Sequence, residues 1–181
     1  MHNERYDAMI LETSRLILRP WEIGDVQDYL DFCNSEFVLR YNAMTPKTEE
    51  EILRRFSGPW DGKSLMLVLK ERGLVIGEIH IEEDSLRWGV ASKELSYLIH
   101  RNYSRRGYMK EALRVLIRYL FEEEGLECVG ARVFSVNEAS LALLRSLGFR
   151  QNGYIPRCVK GYRDIIFDDT LHSLFRREWE E

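Results

Sequence analysis

Residues 94–125 read "ELSYLIHRNYSRRGYMKEALRVLIRYLFEEEG", and the way this stretch divides decides the fold. "ELSYLIH" (94–100) has the apolar and aromatic character of a β-strand. From Gly107 onward the pattern changes. Met109, Leu113, Leu116, Ile117, Leu120 and Phe121 recur with the period of an α-helix. Gly125 stands where a helix-ending glycine belongs. Between strand and helix lies a short turn, "RNYSRRG". The first amides of a helix have no intrahelical partner, and the helix dipole adds partial positive charge there. Gly107 lets an anion approach the backbone, Arg105 and Arg106 bring guanidinium donors, and Ser104 adds a hydroxyl. The spacing is neither that of a Walker loop nor G-x-G-x-x-G. By itself the stretch is either a plain helix start or an anion cradle.

Working outward, "SRLILRPW" (14–21) reads as a strand that Pro20 ends. Val26, Tyr29, Leu30 and Cys33 have helical spacing, which predicts a first helix from Asp25 to Cys33. Thr48, with Glu51 three residues on, forms a capping box just before Ile52, Leu53 and Phe56, which predicts a second helix. Two β-rich runs flank "KERG" (70–73), a hairpin signal. Downstream come a strand in "CVGARVFS" (128–135), a helix in "NEASLALLRSLGF" (137–149) with Asn137 at its N-cap, and two strands in "YIPRCV" (154–159) and "IIFDDTLHSLFRREW" (165–179). The order is β-α-α-β-β-β-α-β-α-β-β. This predicts an α/β (α+β) fold: a mixed, mostly antiparallel sheet with helices on its faces. The strict alternation of a doubly wound nucleotide fold is absent.

The 181 residues suit a single domain, residues 1–181, with a short flexible N-terminus over about residues 1–10. Apolar residues make up 45%, enough for a core, and charged residues 31% with both signs interspersed. The net charge of −4 argues against nucleic acid as a partner and suits a small cationic substrate. The N-terminal residues are polar, with no apolar signal-like region. No run approaches the roughly 18 apolar residues of a membrane span. Cys33, Cys128 and Cys158 are odd in number and scattered, which suggests neither a disulfide framework nor a zinc site. His2, His80, His100 and His172 show no ligand spacing, so no metal is expected. A reducing cytoplasm is the expected setting.

Several motifs together resemble the GNAT superfamily of N-acetyltransferases, in particular its RimJ/RimL-like branch. The resemblance runs from "LETSRLILRPWEIGDV" to "SLFRREW", nearly the whole chain. The superfamily's acetyl-CoA signature, Q/R-x-x-G-x-G/A, appears as Ser104-Arg105-Arg106-Gly107-Tyr108-Met109, followed by "KEAL". Asn137, Ser140 and the closing Gly148-Phe149 match a second signature. Ser104 departs from Gln or Arg, and Met109 from a small residue. The resemblance implies acetyl-CoA as co-substrate and a V-shaped split between the strands "ELSYLIH" and "CVGARVFS". It places the pantetheine arm against the backbone of Ile99 and His100, and the pyrophosphate on the amides of Arg105, Arg106, Gly107, Tyr108, Met109 and Lys110. It sets Asn137 near the cofactor's reactive end.

The implied reaction is direct acetyl transfer to a primary amine, either a protein N-terminus or a small molecule such as a polyamine or aminoglycoside. The amine must lose a proton and the departing thiolate must gain one. For the base, Glu94 stands in "KELSYL" at the head of the central strand, where the branch carries a glutamate, and a carboxylate there could act directly or through a water. Glu78 and His80 share one strand face and are the next candidates. Many superfamily members use a tyrosine as acid at the position of Leu144. Leucine cannot donate a proton, which leaves Ser140, with Tyr97 and Tyr108 as substitutes. Residues 25–60 and 154–164 are expected to form the acceptor site, with Trp60 or Trp88 lining it. A homodimer is compatible with the resemblance. The substitutions at Ser104, Met109 and Leu144 motivate an alternative, a CoA-binding regulatory module without catalysis.

Overall fold

The computed structural model of the protein describes residues 9–179. The flexible segment expected over about residues 1–10 lies mostly outside them. In chain order the strands are β1 (Leu11–Glu12), β2 (Leu16–Arg19), β3 (Ser64–Leu69), β4 (Leu74–Glu83), β5 (Ser92–Ile99), β6 (Cys128–Phe134), β7 (Arg150–Lys160) and β8 (Ile166–Phe175). The α-helices are α1 (Val26–Cys33), α2 (Glu36–Leu39), α3 (Glu49–Ser57), α4 (Tyr108–Glu122) and α5 (Glu138–Ser146). The strand order is β1-β2-β3-β4-β5-β6-β8-β7. Pairs β1–β2, β2–β3, β3–β4, β6–β8 and β7–β8 are antiparallel, and β5–β6 is parallel. This is the mixed, mostly antiparallel sheet expected from the sequence. β1 and the single turn α2 were not foreseen. The tail after Phe175 is a short 3₁₀ turn rather than more strand.

The chain divides into two compact units that interleave along the sequence. The first takes the residues up to Leu39, then Thr45–His80 and Tyr97–Val115. The second takes Arg40–Met44, Ile81–Ser96 and the residues from Leu116 onward. In the first, β2 presents Leu16 and Leu18 to the core, every residue of β3 is buried, and β4 adds Val75, Ile76 and Ile79. Phe32 and Phe56 come from α1 and α3. The α3 N-terminus is the predicted capping box: Thr48 Oγ1 accepts from Glu51 N–H at 3.2 Å, and Glu51 Oε2 accepts from Thr48 N–H at 2.8 Å. In the second unit, Leu116, Ile117, Leu120 and Phe121 of α4 are buried, as are Leu141 and Leu144 of α5 and Val129, Ala131 and Val133 of β6.

Two features of the sheet position the site. The β5–β6 ladder covers Ser92–Glu94 against Cys128–Gly130, although β5 runs on to Ile99 and β6 to Phe134. Within the first unit, β4 and β5 approach closely at Gly77. A Cβ on Gly77 would lie 2.7 Å from the Leu98 carbonyl oxygen, which is backbone and cannot swing aside. Gly77→Ala is therefore expected to cost about 2 kcal/mol through overpacking. A chain of this length would lose about 4–8 °C in melting temperature, read by thermal or urea unfolding. A wild-type midpoint would show that the strands separate freely there. No helix among the described residues is long and apolar enough to cross a membrane.

Candidate functional site

The first unit holds Ile99, His100 and Arg105–Lys110. The backbone changes hand in the turn before α4: φ is 60° at Arg105 and 81° at Gly107. Among the described residues, none of the amides from Arg105 to Lys110 finds a protein acceptor. The first that does is Glu111 N–H, which donates to Gly107 O at 3.0 Å. Unpaired amides on a turn of alternating hand form a concave donor array of the kind that receives phosphate oxygens. Arg105, Arg106 and Gly107 are exposed. Ser104 adds nothing to the array, because its hydroxyl donates to Arg101 O at 2.9 Å. Met109 is buried, with 7% of its surface exposed, so its bulk goes into the core and leaves the turn open. These residues fit a diphosphate.

The strand leading to this turn offers a polar edge. His100 N–H donates to Ile76 O at 2.8 Å, and the Leu98 carbonyl also faces β4. By strand alternation the N–H and C=O of Ile99 point the opposite way. Of the two backbone contacts expected for a pantetheine arm, Ile99 turns its groups away from β4, whereas His100 spends its amide on Ile76 of β4. The His100 ring lies 3.0 Å from Asp31 Oδ2 through Nε2, and its Nδ1 accepts from Asn102 N–H.

Glu78 and His80, the second-choice bases, belong to a closed network in the same unit. Glu78 is fully buried. One of its carboxylate oxygens accepts from Tyr29 Oη–H at 2.8 Å and lies 3.1 Å from His80 Nε2. The other accepts from Arg55. His80 Nδ1 lies 3.0 Å from Ser64 Oγ, which also takes a hydrogen bond from Arg55 at 3.0 Å and bonds to Asp61 Oδ2 at 3.1 Å. Burial alone would raise the Glu78 pKa. The hydrogen bond and charge of His80, and then Arg55, reverse this and bring it to about 2. Burial would lower the His80 pKa, and the bond to Glu78 more than offsets it, so the net shift is upward. A carboxylate this acidic is a poor proton acceptor, and both ring nitrogens of His80 are engaged, by Glu78 and by Ser64, which leaves neither residue open to a substrate proton.

The second unit holds Glu94, Asn137 and Ser140. Glu94 is half-buried, and its side chain makes no hydrogen bond or ion pair among the described residues. Burial raises its pKa, Arg132 opposes this, and Asp84, Glu82 and Asp169 add to the rise. Arg132 does not close on Glu94 because its fork is taken by Asp169 Oδ2, at 3.0 and 2.7 Å. The Asn137 side chain caps α5. Its Oδ1 accepts from Ser140 N–H at 3.3 Å, and its Nδ2 donates to Ser140 Oγ at 3.2 Å. Ser140 Oγ is thus an acceptor toward Asn137 and keeps its own proton to donate elsewhere. Leu144 is buried, one turn further on.

Sequence reasoning overlooked Arg15, Glu111, Arg55, Arg132 and Asp169. "SRL" and "KEAL" are part of the resemblance, but nothing in one sequence pairs residues 96 positions apart. Glu111 accepts from Thr13 Oγ1 at 2.5 Å and from Arg15 Nε at 2.7 Å, and Arg15 Nη1 donates to Arg106 O at 3.2 Å.

Comparison with known proteins gives a consistent result. Residues 15–150 match the family model described as "Acetyltransferase (GNAT) domain". YnaD of Bacillus subtilis (strain 168), an uncharacterized N-acetyltransferase, is 24% identical over 175 residues, which cover 94% of this chain and 99% of that protein. Among solved structures, a GNAT-family acetyltransferase from Bacillus anthracis superposes with a TM-score of 0.84 at 21% identity, covering 94% of this chain and 100% of that one. The ribosomal-protein-S5-alanine acetyltransferase of Vibrio fischeri gives 0.79 at 18% identity, covering 96% and 100%.

Proposed function

Because the chain belongs to the GNAT acetyltransferase family, we propose that it is a single-domain enzyme that moves the acetyl group of acetyl-CoA directly onto a primary amine. The observation that carries this reading is the row of unpaired amides from Arg105 to Lys110 at the left-handed Gly107 turn. Those amides receive the pyrophosphate, and the backbone edge at Ile99 receives the pantetheine arm. The acceptor favoured here is a protein N-terminal amine; a protein acceptor is supported by the Vibrio fischeri enzyme, which is named for an alanine of ribosomal protein S5. Small amines such as polyamines and aminoglycosides are the competing class.

Glu94 takes the proton that the acceptor amine must lose, directly or through a water. Its raised pKa and lack of a partner support that role, and the depressed pKa of Glu78 argues against the alternative. Ser140 offers its proton to the departing sulfur. A thiol has a pKa of about 8.5, so a weak donor is sufficient. Asn137 orients Ser140 by donating to its oxygen.

The experiment is release of CoA thiol from acetyl-CoA in the presence of N-terminal peptides, polyamines and aminoglycosides. Turnover is expected with the peptides. Glu94→Gln is expected to lower kcat about 100-fold, and Ser140→Ala about 10-fold or more, at little change in KM for acetyl-CoA. Wild-type turnover in both variants would refute these roles. The buried Leu144, where a tyrosine acid is common, favours one second reading, a CoA-binding module. Binding of CoA without turnover on any amine would select it.

A further inference from the structure

Arg15 lies on the turn between β1 and β2, far in sequence from the acetyl-CoA turn yet in contact with it. Its guanidinium carbon sits 4.3 Å from the centre of the Tyr108 ring. Its Nη1 donates to the Arg106 carbonyl at 3.2 Å. A Cβ built on Gly107 would lie 3.4 Å from Arg15 Nη2. The guanidinium therefore touches three consecutive residues, Arg106, Gly107 and Tyr108, of the segment whose amides stand unpaired.

Glu111, in the first turn of α4, fixes this placement. Its Oε2 accepts from Arg15 Nε at 2.7 Å and lies 2.6 Å from Nη2. Its Oε1 accepts from Arg15 N–H at 3.0 Å, from Thr13 Oγ1 at 2.5 Å and from Ser14 Oγ at 3.2 Å. One carboxylate thus clamps the whole turn from Thr13 to Arg15 to the helix. Burial would raise the Glu111 pKa, but the hydrogen bonds from Thr13 and Arg15 hold it below the usual range, so the clamp stays charged. An arginine has five N–H donors. Three are used here, on Glu111 and the Arg106 carbonyl. The remaining two, one on each terminal nitrogen, have no protein acceptor among the described residues, and the side chain is 43% exposed. A structural ion pair alone would not require a guanidinium held open toward a glycine turn.

We propose that Arg15 is a phosphate ligand of the acetyl-CoA site, supplied by the β1–β2 turn, and that Glu111 is the residue that positions it. The inference rests on the acetyl-CoA reading above. Arg15 places its two free N–H groups beside the α4 amides and adds a full positive charge to their partial one. Its planar fork suits phosphate oxygens in a way that a lysine would not reproduce. Glu111 prevents the long side chain from sampling other rotamers, so less ordering is needed when the phosphate arrives.

The test compares two acetyl donors, acetyl-CoA and S-acetylpantetheine, which lacks the pyrophosphate. The readout is the ratio of their kcat/KM values. Arg15→Ala is expected to lower the ratio at least about 10-fold, mainly through KM for acetyl-CoA. Arg15→Lys should give an intermediate ratio. Glu111→Gln should lower it less than Arg15→Ala, and the double variant should be no worse than Arg15→Ala alone, since both act through one contact. An unchanged ratio in Arg15→Ala, whether both donors suffer equally or neither does, would overturn the proposal and leave Arg15 a structural residue. Calorimetric titration with CoA separates the two readings. Wild-type protein that binds no CoA would fail the acetyl-CoA reading and this inference together. Wild-type binding with equal affinity in Arg15→Ala would fail the inference alone.

Discussion

Gly107→Glu is expected to weaken CoA binding by more than about 1,000-fold. Three effects act in the same direction. The residue sits at φ 81°, where a side chain costs roughly 1–2 kcal/mol. The new Cβ would stand 3.4 Å from Arg15 Nη2, so the added carboxylate competes for the guanidinium that faces the turn. It also places negative charge in the path of a phosphate. Two like charges about 4 Å apart near a protein surface repel by about 4 kcal/mol, and with the strain this exceeds the roughly 4 kcal/mol of a 1,000-fold change. Gly107→Ala separates the terms, since it carries the strain without the charge and should cost about 10-fold. Both are measured by calorimetric titration with CoA, with a thermal melt to show that the fold persists. Unchanged affinity in Gly107→Glu would remove residues 104–110 from the site.

What the sequence made readable follows from the range of the interactions involved. The α3 capping box, the α4 stripe and the Asn137 cap lie within one or two helical turns, and each appears as expected. β1 is two residues long and α2 four, too short for any periodicity to show. The unpaired amides before α4 were readable for the same local reason. The roles of individual side chains were not. Ser104 looked like a member of the anion site, yet its hydroxyl is taken by a carbonyl three residues back. Glu78 and His80 were rightly placed on one strand face, but Arg55 and Tyr29, from other elements, decide their protonation. Arg15 and Glu111 are distant in sequence and meet only in the fold. The choice of Glu94 over Glu78 as base thus depends on partners that no pattern in the strand reveals.

Those partners make Arg55 the position where the largest loss of stability is expected. Arg55 bridges α3 to β3 and β4, bonding to Ser64 and to the fully buried Glu78, with its guanidinium 4.7 Å from the Trp21 ring centre. Arg55→Ala leaves Glu78 buried with one strong partner fewer. Breaking a buried pair from one side typically costs about 3–5 kcal/mol, or roughly 6–20 °C in melting temperature for a chain of this size. The network also imprints a pH dependence on stability. Glu78 drops from 4.5 to about 2 on folding. Its contribution is complete above pH 4.5 and is lost as pH falls toward 2. His80 rises above its ordinary 6.5, so its contribution is complete below pH 6.5 and is lost as pH climbs through the raised value. Urea unfolding should therefore find this contribution largest between about pH 4.5 and 6.5. Glu78→Gln should lose the alkaline slope, because His80 no longer has a charge to hold its proton, and should flatten the acid one. A wild-type profile that keeps both slopes after Glu78→Gln would assign the pH dependence to other groups. It would also free His80 to be reconsidered as the base.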